Sequence, residues 1–475
     1  MEERWQIIPV HDLWQAFRRM AEENPAGFYE VNLAFHKPTA GAYKRRIPIP
    51  LKPIRFMNLE IDPSFALAAF INNHVVALGA HQVWVDCPRS IFRKLEDMFK
   101  GGPSSDGFGY LPGFMESVYG VPFTLRAGHR EGISSLPDPS LPKIGSKLRK
   151  GGFLGIDLGR SDVKVAYIRD GRFVEGFKKR WAPEGFSSIE MHLNFVLTAA
   201  EELMSWLGEP PLTGVGLSTA GVVYEERIRI SGLFSGVMDG EKIPLFGEML
   251  SMRLRGKPVY VIHDGDAAVL QAKLDGRYEG GVLGISMGSG VGFGCVNSKG
   301  ELEGLNETGK AVLDLSLNAP IHRSYKFKGA AIFYLSQNAA FRMAEELGMR
   351  LDDPARRTIF LKEIKDKALK GEPGFREIPL RIGEYLGLSV PEFLDIYGDS
   401  GIRHIVLYGR LVSGRFGEII IERALEVLRE RWPQLAAEVE LGFPMGTPEG
   451  MDGETNAELG QAVAAAYYAA LSGKR

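Results

Sequence analysis

Two stretches of this chain begin in the same way, and that repetition constrains the fold more than any other feature. Phe153–Leu158 and Val163–Ile168 are aliphatic, β-branched runs joined by a glycine-containing turn and closed by Asp170-Gly171. That is hairpin chemistry. Val282–Met287 and Val291–Asn297 repeat it around Gly288-Ser289-Gly290. After the first hairpin, Ser187-Ser188-Ile189-Glu190 offers a capping box for a helix running to about Leu207. Its apolar face is Ile189, Leu193, Val196, Ala200, Leu203 and Leu207. "TGVGLSTAGVV" then reads as a buried strand. The order of hairpin, helices and strands specifies a mixed α/β sheet. Its restart near residue 281 predicts two related lobes with a cleft between them.

The first lobe ends on "VYVIHDGDAAVLQAK". Val259–Ile262 is a strand entered through Lys257-Pro258, and Asp266 can cap the helix that follows. His263, Asp264, Gly265 and Asp266 therefore sit at the carboxyl end of a strand, where open α/β sheets place their chemistry. Asp264 reads either as a turn-forming acid or as a general base. His263 reads equally as a substrate contact or a hydrogen-bonded junction histidine.

Around this core the chain divides into residues 1–150, 151–278 and 279–475. Residues 1–150 match no motif. Proline and strand signals dominate there, "VVALGAHQVWVDC" reads as one or two strands, and "SIFRKLEDMFKG" as a helix capped by Ser90 and ended by Gly101. An α+β region joined through the Pro/Gly-rich linker Ser134–Gly152 is expected. The last region carries about 100 residues of mostly helical pattern after its hairpin, including "GAAIFYLSQNAAFRMAEELG" and "RRTIFLKEIKDKALKG". It then has a strand, a long amphipathic helix and an alanine-rich terminal helix suited to close packing.

Composition excludes several classes. A formal charge of -2 on 475 residues argues against general affinity for nucleic acid or anionic membrane. Only Cys87 and Cys295 occur, which fits a reducing compartment and excludes a multi-cysteine zinc site. "MEERWQIIPVHDLWQAF" lacks a signal-peptide run, and polar residues interrupt the uncharged Phe65–Val85. A cytoplasmic protein is expected.

Each hairpin turn pairs glycine with a hydroxyl, letting backbone N–H groups wrap phosphate oxygens while the hydroxyl adds a donor. Taken together, Asp157-x-Gly159-x-Ser161-x-x-Lys164 and Gly288-Ser289-Gly290-x-Gly292 resemble the two phosphate motifs of the actin/sugar kinase/Hsp70 superfamily. More narrowly, residues 152–475 resemble the ROK family of bacterial sugar kinases and repressors. Ser218-Thr219-Ala220-Gly221-Val222-Val223 matches the family's "stPGxV" strand, His263-Asp264-Gly265-Asp266 its "NDAN" loop, and Asn306-Glu307-Thr308-Gly309-Lys310 its "GEIGH". The resemblance implies a two-lobed actin-like ATPase with ribonuclease H-like sheets that phosphorylates a sugar or sugar-like hydroxyl from ATP with Mg²⁺, and for which a homodimer is common. Asp264 would be the catalytic base, and Asp157 would orient Mg²⁺ or its waters. Gly159, Ser161, Lys164, Gly288, Ser289, Gly290, Gly292 and Gly409 would hold the nucleotide. Gly221, His263, Asp266 and Glu307 would meet the acceptor.

Departures from the pattern are specific. His263 and Asp266 replace asparagines, and Ile332 replaces a sugar-binding glutamate. Lys310 stands at the zinc-ligand histidine, with no "CxCGxxGC" after it, so no zinc is expected; it reads as a solvated lysine or a ligand. Tyr408 and Arg410 replace glycines of the adenosine loop in "IVLYGRL". Lost sugar contacts beside kept phosphate turns point to an altered acceptor. The alternative is a non-catalytic ROK-like protein that binds sugar or nucleotide. No tri-helical DNA-binding pattern appears in residues 1–150, and no peptide-binding segment supports an Hsp70-like machine.

Overall fold

A computed structural model describes residues 5–38, 41–100, 107–141, 147–276, 278–353 and 356–473. The N-terminal region contains α1 (Val10–Glu23), β1 (Phe28–His36), β2 (Ala42–Pro50), β3 (Ile54–Phe56), β4 (Leu59–Ile61), α2 (Pro63–Leu78), β5 (Gln82–Asp86), α3 (Arg89–Lys100), α4 (Leu111–Tyr119), β6 (Thr124–Ala127) and α5 (Arg130–Ser134). Strands β2-β1-β5-β6 form its sheet. Two local expectations are corrected. Val75–Leu78 close helix α2 rather than forming a strand, because Asp62 caps an apolar run that stays helical through to Gly79. Ser90 lies inside α3, which already begins at Arg89 behind Pro88. Gly101 and residues 142–146 of the expected linker lie outside the described residues.

The first lobe comprises β7 (Gly152–Leu158), β8 (Asp162–Arg169), β9 (Arg172–Arg180), α6 (Ile189–Trp206), β10 (Gly214–Thr219), β11 (Val222–Tyr224), β12 (Arg227–Ile230), α7 (Phe246–Arg253), β13 (Val259–His263) and α8 (Asp264–Asp275). Its sheet order is β13-β10-β7-β8-β9, with β13, β10 and β7 parallel. Asp170-Gly171 turns into a third antiparallel strand, β9, whose charged residues give no buried-strand signal. Helix α6 is capped by Ser188, whose hydroxyl accepts from the Met191 amide; Ser187, which would head the capping box, lies one residue further out.

The remainder holds β14 (Gly281–Met287), β15 (Val291–Val296), α9 (Gln337–Glu346), α10 (Arg357–Leu369), α11 (Glu377–Ile396), β16 (Ile402–Tyr408), α12 (Gly414–Arg431), α13 (Pro433–Glu438), β17 (Glu440–Gly442) and α14 (Gly453–Leu471). Its sheet, β15-β14-β16-β17, repeats the first in order and direction without a counterpart of β9.

Two packing relations cross the sequence divisions. Helix α14, grouped by sequence with the second lobe, lies on the first sheet. Strand β7 is buried along its whole length because α6 and α7 cover Leu154, Ile156 and Leu158 while α14 covers Phe153. Gly155 and Gly216 face each other in register, and a Cβ at either would overlap the Ala462 or Ala465 carbonyl. The N-terminal region, meanwhile, shares one continuous core with the second lobe, from Trp14, Phe35 and Phe70 through to Phe293, Tyr334 and Phe393. Among the described residues no helix is long and apolar enough to cross a membrane.

Candidate active site

Parallel pairing aligns the carboxyl ends of three strands: Asp157 of β7 stands beside Ser218 of β10, and Thr219 of β10 beside His263 of β13. Asp157 is 1% exposed and takes Lys164 Nζ at 2.8 Å across the hairpin. Burial pulls the Lys164 pKa down, but the charge and hydrogen bond of Asp157, with Asp162 and Asp264 further off, raise it above the ordinary value. The first turn is closed by the Gly159 amide donating to the Asp162 carbonyl, and Ser161 Oγ donates to Asp162 Oδ2 at 2.7 Å.

Helix α8 begins at Asp264, not at a residue capped by Asp266. His263 is the cap position, and Asp266 falls in the first turn because the strand runs on to His263. Asp264 Oδ1 accepts the Gly265 amide at 2.8 Å and lies 3.0 Å from His263 Nε2. Its Oδ2 has no hydrogen-bond partner among the described residues. Asp266 Oδ1 accepts from Asn306 Nδ2 at 2.6 Å, and Asn306 Oδ1 accepts from Tyr397, whose hydroxyl also meets Thr308. Sequence reading quoted Asn306 only as the start of a motif. Its left-handed backbone (φ 61°) is the signal that it is special.

His263 is nearly buried between two carboxylates, with Nδ1 4.0 Å from Asp266 Oδ2. Burial alone would lower its pKa; the charge and hydrogen bond of Asp264, then Asp266 and Glu307, carry it to about 9. Burial likewise pushes the Asp266 carboxyl up to about 6, against the pull of His263 and Asn306. Both folded-state values lie above the ordinary values of 6.5 and 3.8. Each group therefore stabilises the fold most at low pH, Asp266 losing its share as pH rises through about 6 and His263 through about 9. The thermal midpoint should fall between pH 6.5 and 10, with His263 contributing up to about 3 kcal/mol of that loss. His263→Asn should flatten the curve over that range; an unchanged slope would show that the imidazolium carries no stability.

The second glycine turn is less tightly packed. A Cβ at Gly288, Gly290 or Gly292 would meet nothing closer than 3.8 Å, so packing does not demand glycine there. Ser289 is exposed at its tip. Gly288 accepts from the Gln337 amide at the start of α9, and Ile332 abuts Gly290. Gly409, with φ 100°, passes within 2.6 Å of the Met287 carbonyl at the position of a Cβ, so only glycine fits beside the turn. Gly221, φ 107°, is pinned against Ile230. Glu307 forms an ion pair with Lys310. The Glu307 charge in turn raises the His263 pKa.

Neither a family model nor a curated protein sequence matches the chain. Solved structures do. A ROK hexokinase from Thermus thermophilus is 20% identical, with 67% of this chain and 97% of that one covered at a TM-score of 0.50. A ROK-family transcriptional regulator, a homologue of the E. coli MLC protein, is 18% identical, with 67% and 79% covered at a TM-score of 0.51. The fold is that of the ROK sugar kinases and regulators. A third of the present chain has no counterpart in the ROK hexokinase, although that protein is covered almost completely.

Within the ROK fold the departures have physical outcomes. Tyr408 turns its ring toward α8, filling space beside Gly284 and donating to the Ala268 carbonyl at 2.9 Å. Arg410 is exposed, with its carbonyl held by Lys365. Lys310 is not a solvated lysine: besides Glu307, its ammonium lies 4.7 Å from the centre of the Phe114 ring.

Proposed function

We propose that this protein transfers a phosphoryl group from ATP, with Mg²⁺, to a hydroxyl of a sugar or sugar-like acceptor. The observation that carries the reading is Asp264: a carboxylate at a strand–helix junction, one oxygen fixed by Gly265 and His263, the other without a partner, and Lys164 of the first glycine turn within its electrostatic reach.

The residues fit a nucleotide. Backbone amides of the two turns would hold phosphate oxygens, and a Cβ at Gly288, Gly290 or Gly292 would make only ordinary contacts. Among the described residues no group of three or more His, Cys, Asp or Glu side chains could hold a metal. Asp157 would therefore contribute a single carboxylate, as is usual for Mg²⁺ completed by phosphate oxygens and water. Bound ATP would supply the transferable phosphoryl group, with Mg²⁺ neutralising its charge.

The chain's own residues then have defined tasks. Asp264 Oδ2 accepts the proton of the acceptor hydroxyl. The imidazolium of His263 holds Asp264 Oδ1 in place while the carboxylate keeps its charge. Lys164 balances Asp157 and reaches Gln461 Oε1 of α14 at 3.5 Å. Glu307 and Lys310 hold acceptor oxygens, and the lobes bring both partners into line. A second reading, a ligand-sensing regulator, draws on the same fold serving a ROK transcriptional regulator.

Turnover of ATP with Mg²⁺ across a panel of hexoses, amino sugars and their N-acetyl derivatives decides between these readings. ADP release that requires an acceptor supports the kinase. Sugar binding without ADP release on any acceptor supports the sensor.

A further inference from the structure

The segment carrying Glu307 and Lys310 is held by the N-terminal region, not by its own lobe alone. The Leu305 and Asn306 amides donate to the Ala77 carbonyl, and the Glu307 amide to that of Val76, at the end of α2. One turn earlier, Asn72 Nδ2 donates to the Lys310 carbonyl at 3.1 Å. Asn73 clamps Val312 in both directions: its Nδ2 donates to the Val312 carbonyl at 3.0 Å, and its Oδ1 accepts the Val312 amide at 2.7 Å. Helix α4 adds the side wall. Tyr110, fixed by its hydroxyl donating to Asn72, stacks on Tyr325 at 4.4 Å and on Phe327 at 5.2 Å. Lys310 Nζ then lies over two faces of this cluster, 4.7 Å from the Phe114 centroid and 5.8 Å from that of Tyr325. At its far end α4 reaches the first lobe, where Tyr119 meets Tyr224 edge-on at 4.7 Å.

We propose that the N-terminal region is a structural part of the acceptor site, and that Phe114 is a positioning residue that sets acceptor affinity by fixing the Lys310 ammonium toward an acceptor oxygen. This rests on the kinase reading's placement of the acceptor between Asp264 and Glu307. An ammonium held between a carboxylate and aromatic faces keeps one position. An aliphatic neighbour gives no such attraction and lets the long side chain wander.

The test compares wild type, Phe114→Leu and Phe114→Tyr in the full chain, using calorimetric binding of glucose, mannose, N-acetylglucosamine and N-acetylmannosamine. The affinity for a non-hydrolysable ATP analogue, the thermal midpoint and, where turnover exists, KM and kcat are measured alongside. Phe114→Leu should weaken acceptor binding, and raise its KM, by about tenfold with kcat and nucleotide affinity unchanged, and Phe114→Tyr should restore both. Acceptor affinity unchanged in Phe114→Leu overturns the proposal. So does a parallel loss of acceptor affinity, nucleotide affinity and thermal midpoint, which would mark Phe114 as a core residue only. Sugar binding that follows the predicted pattern without turnover supports the wall while refuting the kinase. A wild-type protein that binds none of the four sugars overturns both.

Discussion

Asp264→Asn should reduce acceptor-dependent ADP release by about 10²–10⁴-fold, the contribution expected of a positioned general base. The substitution is nearly isosteric. An asparagine oxygen can still accept the Gly265 amide and face His263 Nε2, so the start of α8 keeps its geometry. What disappears is the capacity of the second oxygen, the one without a partner, to take a proton. Nucleotide affinity should therefore stay within about twofold of wild type, because the glycine turns that would hold it are untouched. Residual turnover within tenfold of wild type would show that the proton leaves by another route and would remove Asp264 from the mechanism.

Gly265→Ala should damage both stability and turnover. A Cβ there would overlap the Phe293 carbonyl, and reciprocally a Cβ at Gly294 would overlap the Gly265 carbonyl. The start of α8 thus lies backbone to backbone on β15, and this contact aims Asp264 relative to the second lobe. Neither partner is a flexible side chain able to step aside. The helix must lift, at a cost of at least about 2–3 kcal/mol, the upper part of the range for overpacked sites. Since displacement of a reacting group by about 1 Å can cost on the order of 10²-fold, turnover should fall steeply as well. Thermal unfolding measures the first effect irrespective of activity; a midpoint within a degree or two of wild type would mean the backbone contact is looser than described.

The elements legible in the sequence were those whose signal is local. Aliphatic, β-branched runs and turn glycines announced both hairpins, and the junction at His263–Asp266 followed from a strand running into a capped helix. The error there was one of register: whether Asp264 or Asp266 begins the helix depends on how far β13 continues, which pairing with Thr219 of β10 decides. Strand β9 escaped because it is an edge strand whose residues, Arg172–Arg180, are mostly charged and half-exposed. The destination of α14 was illegible from its own residues, since an alanine-rich helix suits any close surface. The informative residues were Gly155 and Gly216, glycines in the interior of buried strands. Sequence analysis likewise left Lys310 open. Its partners Phe114 and Tyr325 come from segments on either side of the first lobe, and no spacing rule joins them.

The nesting of the chain also bears on how it is made. The first sheet is covered on one face by α14, which is synthesised long after it, and the N-terminal region finishes its core only with residues of the second lobe. Neither of these two segments can therefore fully bury its apolar surface when it emerges. Maturation waits for the distal part of the polypeptide, and until then a nascent chain presents the bare face of β7 and β10 to the cell. Translation pausing or truncation within α14 would strand that face, giving a product prone to chaperone capture and degradation.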